Sequence, residues 1–305
     1  MRWRKGRRSS NIEDRRGEKA PGGLGMGRGN LIALLPLLFR FKSGWLILLV
    51  LGGLWFFKSG GFGNLFGPQH ADTAATGETA GKPGAPAGPT DEVADFVSVI
   101  LADTEDTWGS LFKAAGSGYR APTLVLYDDR VMSACGLNSA AVGPFYCPGD
   151  AKVYLDLDFL GELRKMGAPG DFAFAYVIAH EIGHHVQNLL GTSAKVQQMR
   201  MRADKATGNR LSVMLELQAD CFAGVWAHHA QRQRQILEPG DLEEGLRAAT
   251  AVGDDTIMRR MGRGVMPDAF THGSAEQRSF WFRKGLASGD VNQCDTFAAM
   301  AGLKL

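Results

Sequence analysis

Asp171-Phe172-Ala173-Phe174-Ala175-Tyr176-Val177-Ile178-Ala179-His180-Glu181-Ile182-Gly183-His184 is the stretch that decides the reading of this chain. The run before His180 is almost wholly apolar, and Gly191 lies shortly beyond it in the usual place for a helix C-terminus. A helix over Asp171–Leu190 is therefore predicted. On it, His180 and His184 are four apart and share one face. Two imidazoles so placed can ligate one tetrahedral Zn²⁺, and Glu181, one residue on, can take a proton from a zinc-activated water. Two solvated histidines are the bland alternative. The apolar flanks weigh against it, because buried imidazoles without a metal need other partners.

A catalytic zinc site takes three protein ligands. The segment Glu216-Leu217-Gln218-Ala219-Asp220 lies in a second apolar helical run, with Leu211, Leu215, Phe222, Val225 and Trp226 around it. Two carboxylates on one face of a core-facing helix need positive charge opposite them. Glu216 is thus the expected third ligand, and Asp220 is expected to orient a ligand histidine through its second nitrogen. His185 lies about 100° off the motif face, and His228 and His229 sit near a helix end, so these three are weaker candidates. His272 precedes a helix start at Ser274, where it could project into a cleft and donate to a developing oxyanion. Arg278, on that helix, could pair with Asp220. A plain capping box, Ser274-x-x-Gln277, is the alternative for this segment.

The 305 residues suit one sizeable domain or two small ones, and the formal net charge of +2 says little about partners. Its distribution says more. Arg2, Arg4, Lys5, Arg7, Arg8, Arg15 and Arg16 crowd the start, and apolar runs at Leu31–Leu38 and Gly44–Phe57 follow, split by Arg40 and Lys42. This reads as a basic cytoplasmic tail over 1–30 and a single transmembrane anchor over 31–57, with the basic side inside. A cleaved signal peptide is the rival, but no small-x-small cleavage site follows Phe57. The basic residues already have a topological explanation, and no nucleic-acid partner is expected. Residues 58–90, rich in Gly, Ala and Pro, read as a flexible linker. The folded domain is then 91–305 on the extracytoplasmic side of a bacterial inner membrane. Cys135, Cys147, Cys221 and Cys294 all follow the anchor, where disulfides form. Cys135 with Cys147 is a plausible local bridge, leaving Cys221 with Cys294, though four cysteines allow three pairings.

Strands are predicted at Thr123–Tyr127 and Lys152–Leu157, and Ser133–Asp150 reads as loop. Helices are predicted after Thr90 or Asp91 and over Leu160–Met166, Ser193–Ala206 and Leu211–Arg234, with others from Asp241 and Ser274. The expected fold is α+β: a helix-rich, zincin-like domain with a small sheet. Lys152–Leu157 is the candidate strand for presenting main-chain groups to an extended peptide.

These motifs resemble a known family. The zinc motif, E-L-Q-A-D, Val131-Met132-Ser133-Ala134-Cys135-Gly136, Gly143-Pro144-Phe145-Tyr146-Cys147-Pro148 and the start Arg2 to Gly17 are similar to the bacterial "putative neutral zinc metallopeptidase" family. The site layout resembles HtpX-type and CAAX-prenyl metalloproteases, whose T-H-P segment resembles Thr271-His272, with Gly273 in place of Pro. The resemblance implies one zinc per chain, a peptide or protein substrate and hydrolysis with Glu181 as general base. The competing expectation is an envelope protein in which zinc is structural and the domain binds a partner. An intact Glu181 weighs against it.

Overall fold

The computed structural model describes residues 1–18, 89–139 and 143–298, all within one compact unit. The elements run β1 (Ile12–Asp14), α1 (Pro89–Ala114), β2 (Thr123–Tyr127), β3 (Arg130–Ser133), β4 (Gly136–Ser139), β5 (Phe145–Cys147), β6 (Lys152–Asp156), α2 (Phe159–Lys165), α3 (Asp171–Leu189), α4 (Thr192–Arg200), α5 (Lys205–Arg234), α6 (Asp241–Ala251), α7 (Asp254–Arg260) and α8 (Ala275–Ser288). Short 3₁₀ turns at Pro267–Ala269 and Val291–Cys294 flank α8. The fold is α+β and helix-rich with a small sheet, as expected.

The sheet has the order β1-β2-β6-β5, parallel except for antiparallel β5. Alternation sorts its side chains onto two faces. Leu124, Leu126, Val153 and Leu155 join the main core with the helices, while Val125, Tyr127 and Tyr154 pack with Val131 of the separate β3–β4 hairpin and with Cys147. Coverage on both faces explains why β2 is a continuous apolar run with four fully buried residues. Helix α3 is buried from Phe172 to Gly183 because α1, α5, α6 and the sheet enclose it. A helix apolar on every side has no solvent face to offer.

The helices differ from expectation at the start of α1, which opens at Pro89, in α7, which was not expected, and most clearly between α4 and α5. The helix expected over Ser193–Ala206 ends at Arg200, and α5 starts early at Lys205, where the Asp204 carboxylate accepts from Thr207 N at 2.7 Å. Two short strands, β4 and β5, lie in the segment read as loop. Four residues and three residues are too few for a periodicity to register.

The larger difference is at the start of the chain. Residues 1–18 are not a free basic tail. Trp3 is 8% exposed and packs edge-on against Phe96, Arg2 N donates to Ile236 O at 2.7 Å, and β1 pairs with β2 from Ile12↔Leu124 to Asp14↔Leu126. Three of the arginines find their counter-charges on α1: Arg4 on Glu92, Arg7 on Glu105 and Asp106, Arg8 on Asp95. These acids lie some ninety positions downstream, so locally only Glu13, Asp14 and Glu18 oppose the basic start. A shared strand ladder also keeps residues 1–18 and 89–298 on one side of any membrane. A single crossing between them, with the start of the chain inside and the domain outside, is incompatible with β1 beside β2. The expected anchor (31–57) and the expected linker (58–90) as far as residue 88 lie outside the described residues, while residues 89 and 90, also read as linker, open α1. Among the described residues, no helix is long and apolar enough to cross a membrane.

Candidate metal centre

Helices α3 and α5 meet where the motif glycine lies. A Cβ on Gly183 would stand 2.9 Å from Ala219 O and 3.0 Å from Ala219 Cα, closer than a side chain tolerates. That approach carries Glu216, one turn before Asp220 on α5, to the histidines of α3. The Glu216 carboxylate oxygens lie 3.3 Å from His180 Nε2 and 3.5 Å from His184 Nε2, and the three ligand atoms fall within 4.8 Å of one another.

These separations fit zinc. Donors about 2.0–2.2 Å from a tetrahedral zinc lie roughly 3.3–3.6 Å apart. The tautomers fit too. His180 Nδ1 donates to Asp220 Oδ1 at 2.8 Å and His184 Nδ1 donates to Gln187 Oε1 at 2.9 Å. Each imidazole thus turns its Nε2 lone pair inward. The electrostatics favour a cation at the same point. Burial works against charge on either imidazole, yet Asp220 lifts the His180 pKa to about 10 and Glu216 raises that of His184. Burial pushes the Glu216 carboxyl up, but the two histidines outweigh it and hold it well below the usual range.

Asp220 is fully buried and satisfied on every side. It accepts from the Tyr176 hydroxyl, from His180 Nδ1, and from Arg278 Nε at 2.8 Å and Nη2 at 2.9 Å. Burial raises its pKa, but Arg278 and His180 reverse the sign and keep it ionised. The structure therefore brings His180, His184, Glu216, Asp220 and Arg278 into one cluster. Glu181, 7% exposed, lines the same cleft. Disulfides join Cys135 to Cys147 and Cys221 to Cys294. The first ties the β3–β4 turn to β5. The second ties α5, one residue beyond Asp220, to the turn after α8.

His272 lines the cleft with its side chain 52% exposed, close enough for Glu216 to raise its pKa. The larger cause of that rise is Asp254, whose Oδ1 lies 3.2 Å from His272 Nδ1. Asp254 also accepts from the backbone N–H groups of Thr271, His272 and Gly273, at 2.7, 2.7 and 3.0 Å, so it builds the loop that presents the histidine. The sequence reading missed both Asp254 and Gln187. Each had a weak signal: Gln187 is a polar residue one turn after His184 on an apolar helix, and Asp254 opens α7.

The remaining histidines among the described residues are spent structurally. His228 Nδ1 bonds Leu286 O at 2.7 Å and His229 Nε2 bonds Gly289 O at 2.9 Å. His185 is fully buried, and burial lowers its pKa.

The cleft, of about 1260 Å³, runs between the metal-binding face and β5, with Gly143, Pro144, Phe145, Tyr146 and Pro148 along one wall and Ser193, Ala194 and Gln197 of α4 along another. Strand β6 was the candidate for presenting main-chain groups. It is paired on both sides, to β2 and β5, and has no ladder to offer. Among the described residues, the free edge beside the cleft belongs to β5.

A helix-borne His-Glu-x-x-His with a carboxylate from a second helix, at the floor of an open cleft, defines a metal centre of the zinc-metallopeptidase class. The chain belongs to the family described as "Putative neutral zinc metallopeptidase", whose model matches residues 1–297. It is 47% identical over 305 residues to the uncharacterized protein YpfJ of Escherichia coli strain K12, covering 97% of this chain and 99% of that one. It is 44% identical over 215 residues to the uncharacterized protein Rv2575 of Mycobacterium tuberculosis strain H37Rv, covering 67% of this chain and 72% of that one. No solved structure matches.

Proposed function

We propose that this chain is a zinc-dependent peptidase, binding one zinc through His180, His184 and Glu216 and hydrolysing peptide bonds in a strand-like substrate laid along β5. The observation that carries this reading is the convergence of three inward-facing ligand atoms beside Glu181 in a cleft bordered by an unpaired strand edge. Zinc held there supplies Lewis-acid polarisation of the scissile carbonyl and activates water for attack. The chain's own groups do the rest. Glu181 takes the proton of the attacking water and delivers it to the leaving amine. Asp254 raises the His272 pKa, and in its protonated form His272 carries a hydrogen on the ring nitrogen away from Asp254 that it donates to the developing oxyanion. Asp220 and Gln187 hold the ligand imidazoles in the ligating tautomer. A free strand edge offers a peptide its main-chain hydrogen bonds.

The reading extends to location. Two disulfides suit an oxidising compartment and support the proposal that the domain lies outside the cytoplasm. The apolar run 31–57 is proposed to attach it to the inner membrane, with residues 1–18 on the domain's side of the bilayer. The test is metal analysis and peptide-library cleavage by the purified full chain, wild type beside Glu181→Gln. Glu181→Gln should keep zinc and lose proteolysis by a factor on the order of 10² or more. Equal hydrolysis by both proteins would remove the mechanism.

A further inference from the structure

The residue after the zinc motif has no part in the chemistry above, yet it is fully buried and doubly bonded. His185 Nε2 lies 2.6 Å from the Arg120 carbonyl, so that nitrogen carries the hydrogen and donates it. Its Nδ1 is then an acceptor, 3.1 Å from the Tyr146 hydroxyl. The same hydroxyl accepts from Asn188 Nδ2 at 2.9 Å. Tyr146 thus donates to one residue of α3 and accepts from another three positions on. It lies on β5, between Phe145 and Cys147, whose side chains face the opposite side of the sheet.

We infer that His185, Asn188 and Tyr146 form a clasp that fixes edge strand β5 at a set height on helix α3, and so decides which bond of a bound peptide meets the metal centre. The inference rests on the proposed peptidase reading and adds a positioning role to it. A three-residue strand bonded along one side only is a weak platform on its own. The ladder to β6 holds the inner edge of β5, and the Cys135–Cys147 bridge holds its face opposite the clasp. Among the described residues, the hydrogen bonds that tie it to the helix carrying His180 and His184 are those of the clasp. Both the ring stacking and the hydroxyl are used: Tyr146 meets the His185 ring edge-on, with centroids 5.4 Å apart. A buried histidine that only satisfied the core would need no second partner on the substrate-facing strand. Here the partner lines the cleft.

The test uses the zinc-loaded full chain and one peptide that the wild type cleaves at a single bond. Tyr146→Phe removes the hydroxyl and keeps the ring. His185→Gln keeps a donor for Arg120 and loses the acceptor for Tyr146, while His185→Asn sets an acceptor near the Nδ1 position. Tyr146→Phe and His185→Gln should keep one zinc per chain and raise KM about 10-fold, the scale of one lost hydrogen bond. They should also scatter the cleavage, read by mass spectrometry, onto bonds two residues away, because a slip of two preserves which side chains face the cleft. His185→Asn should recover much of the single-bond pattern. A wild-type pattern and KM in both Tyr146→Phe and His185→Gln overturns the clasp while leaving the peptidase reading intact. A wild-type protein that holds zinc and cleaves no peptide overturns the peptidase reading and this one with it. Zinc loss in Tyr146→Phe would make the hydroxyl part of the metal centre's own scaffold and also overturn the clasp.

Discussion

Asp220→Asn is the change that most sharply separates a wired metal centre from a chance acidic stripe. Asp220 accepts four hydrogen bonds and donates none. An asparagine of the same shape must turn its NH₂ toward one of two sets of partners. Facing Arg278, it opposes donor to donor in a fully buried site. Facing His180, it donates to Nδ1, the imidazole moves its hydrogen to Nε2, and the ligating lone pair is lost. Either orientation is costly. Removing one charge of a buried, hydrogen-bonded pair costs about 3–5 kcal/mol, because the partner stays buried and unpaired. For a domain of this size, about 1 kcal/mol moves Tm by roughly 2–4 °C, so a fall of about 6–20 °C is expected. Loss of a partner behind a metal-binding histidine typically weakens binding about 10–100-fold. The assays are differential scanning calorimetry of the metal-free protein and zinc competition against a chromogenic chelator. A Tm within about 2 °C of wild type, with zinc affinity within a factor of about 3, would refute the reasoning.

Further outcomes follow from the same contacts. Purified chain should hold one zinc, His184→Ala should lose most of it, and Glu216→Ala should weaken it; full occupancy in Glu216→Ala would remove the three-ligand set. His272→Ala should leave zinc content and KM nearly unchanged while kcat falls, since a contact made only in the transition state appears in kcat; if instead it strips zinc while Glu216→Ala does not, the third ligand is His272. Asp254→Asn should lower kcat in the same direction, and an unchanged kcat would detach that carboxylate from His272. Thiol labelling of denatured protein taken from its native cell should rise on reduction, and four reactive thiols without reductant would argue for a reducing compartment.

How much the sequence disclosed depended on how far apart the cooperating residues lie. The ligand histidines and Glu181 sit within five positions on one helix, so spacing alone exposes them. Glu216 was legible because two like charges on an apolar helix ask for a cation. Asp254 was not, because what marks it is a set of backbone N–H groups eighteen residues downstream, and no periodicity records that. β5 escaped notice for its length, and with it the free edge that β6 was expected to supply. The start of the chain is the clearest case. Its arginines suggested a tail facing a membrane because the rule for topology counts local charge. The acids that neutralise them sit on α1, beyond the intervening apolar and Gly/Pro-rich segments, and β1 enters the sheet beside β2. Local charge therefore does not disclose the partners on α1, and the ladder imposes a constraint that the charge count does not register. If residues 31–57 meet a membrane, the chain must return to the side on which it began, because β1 and β2 share one ladder.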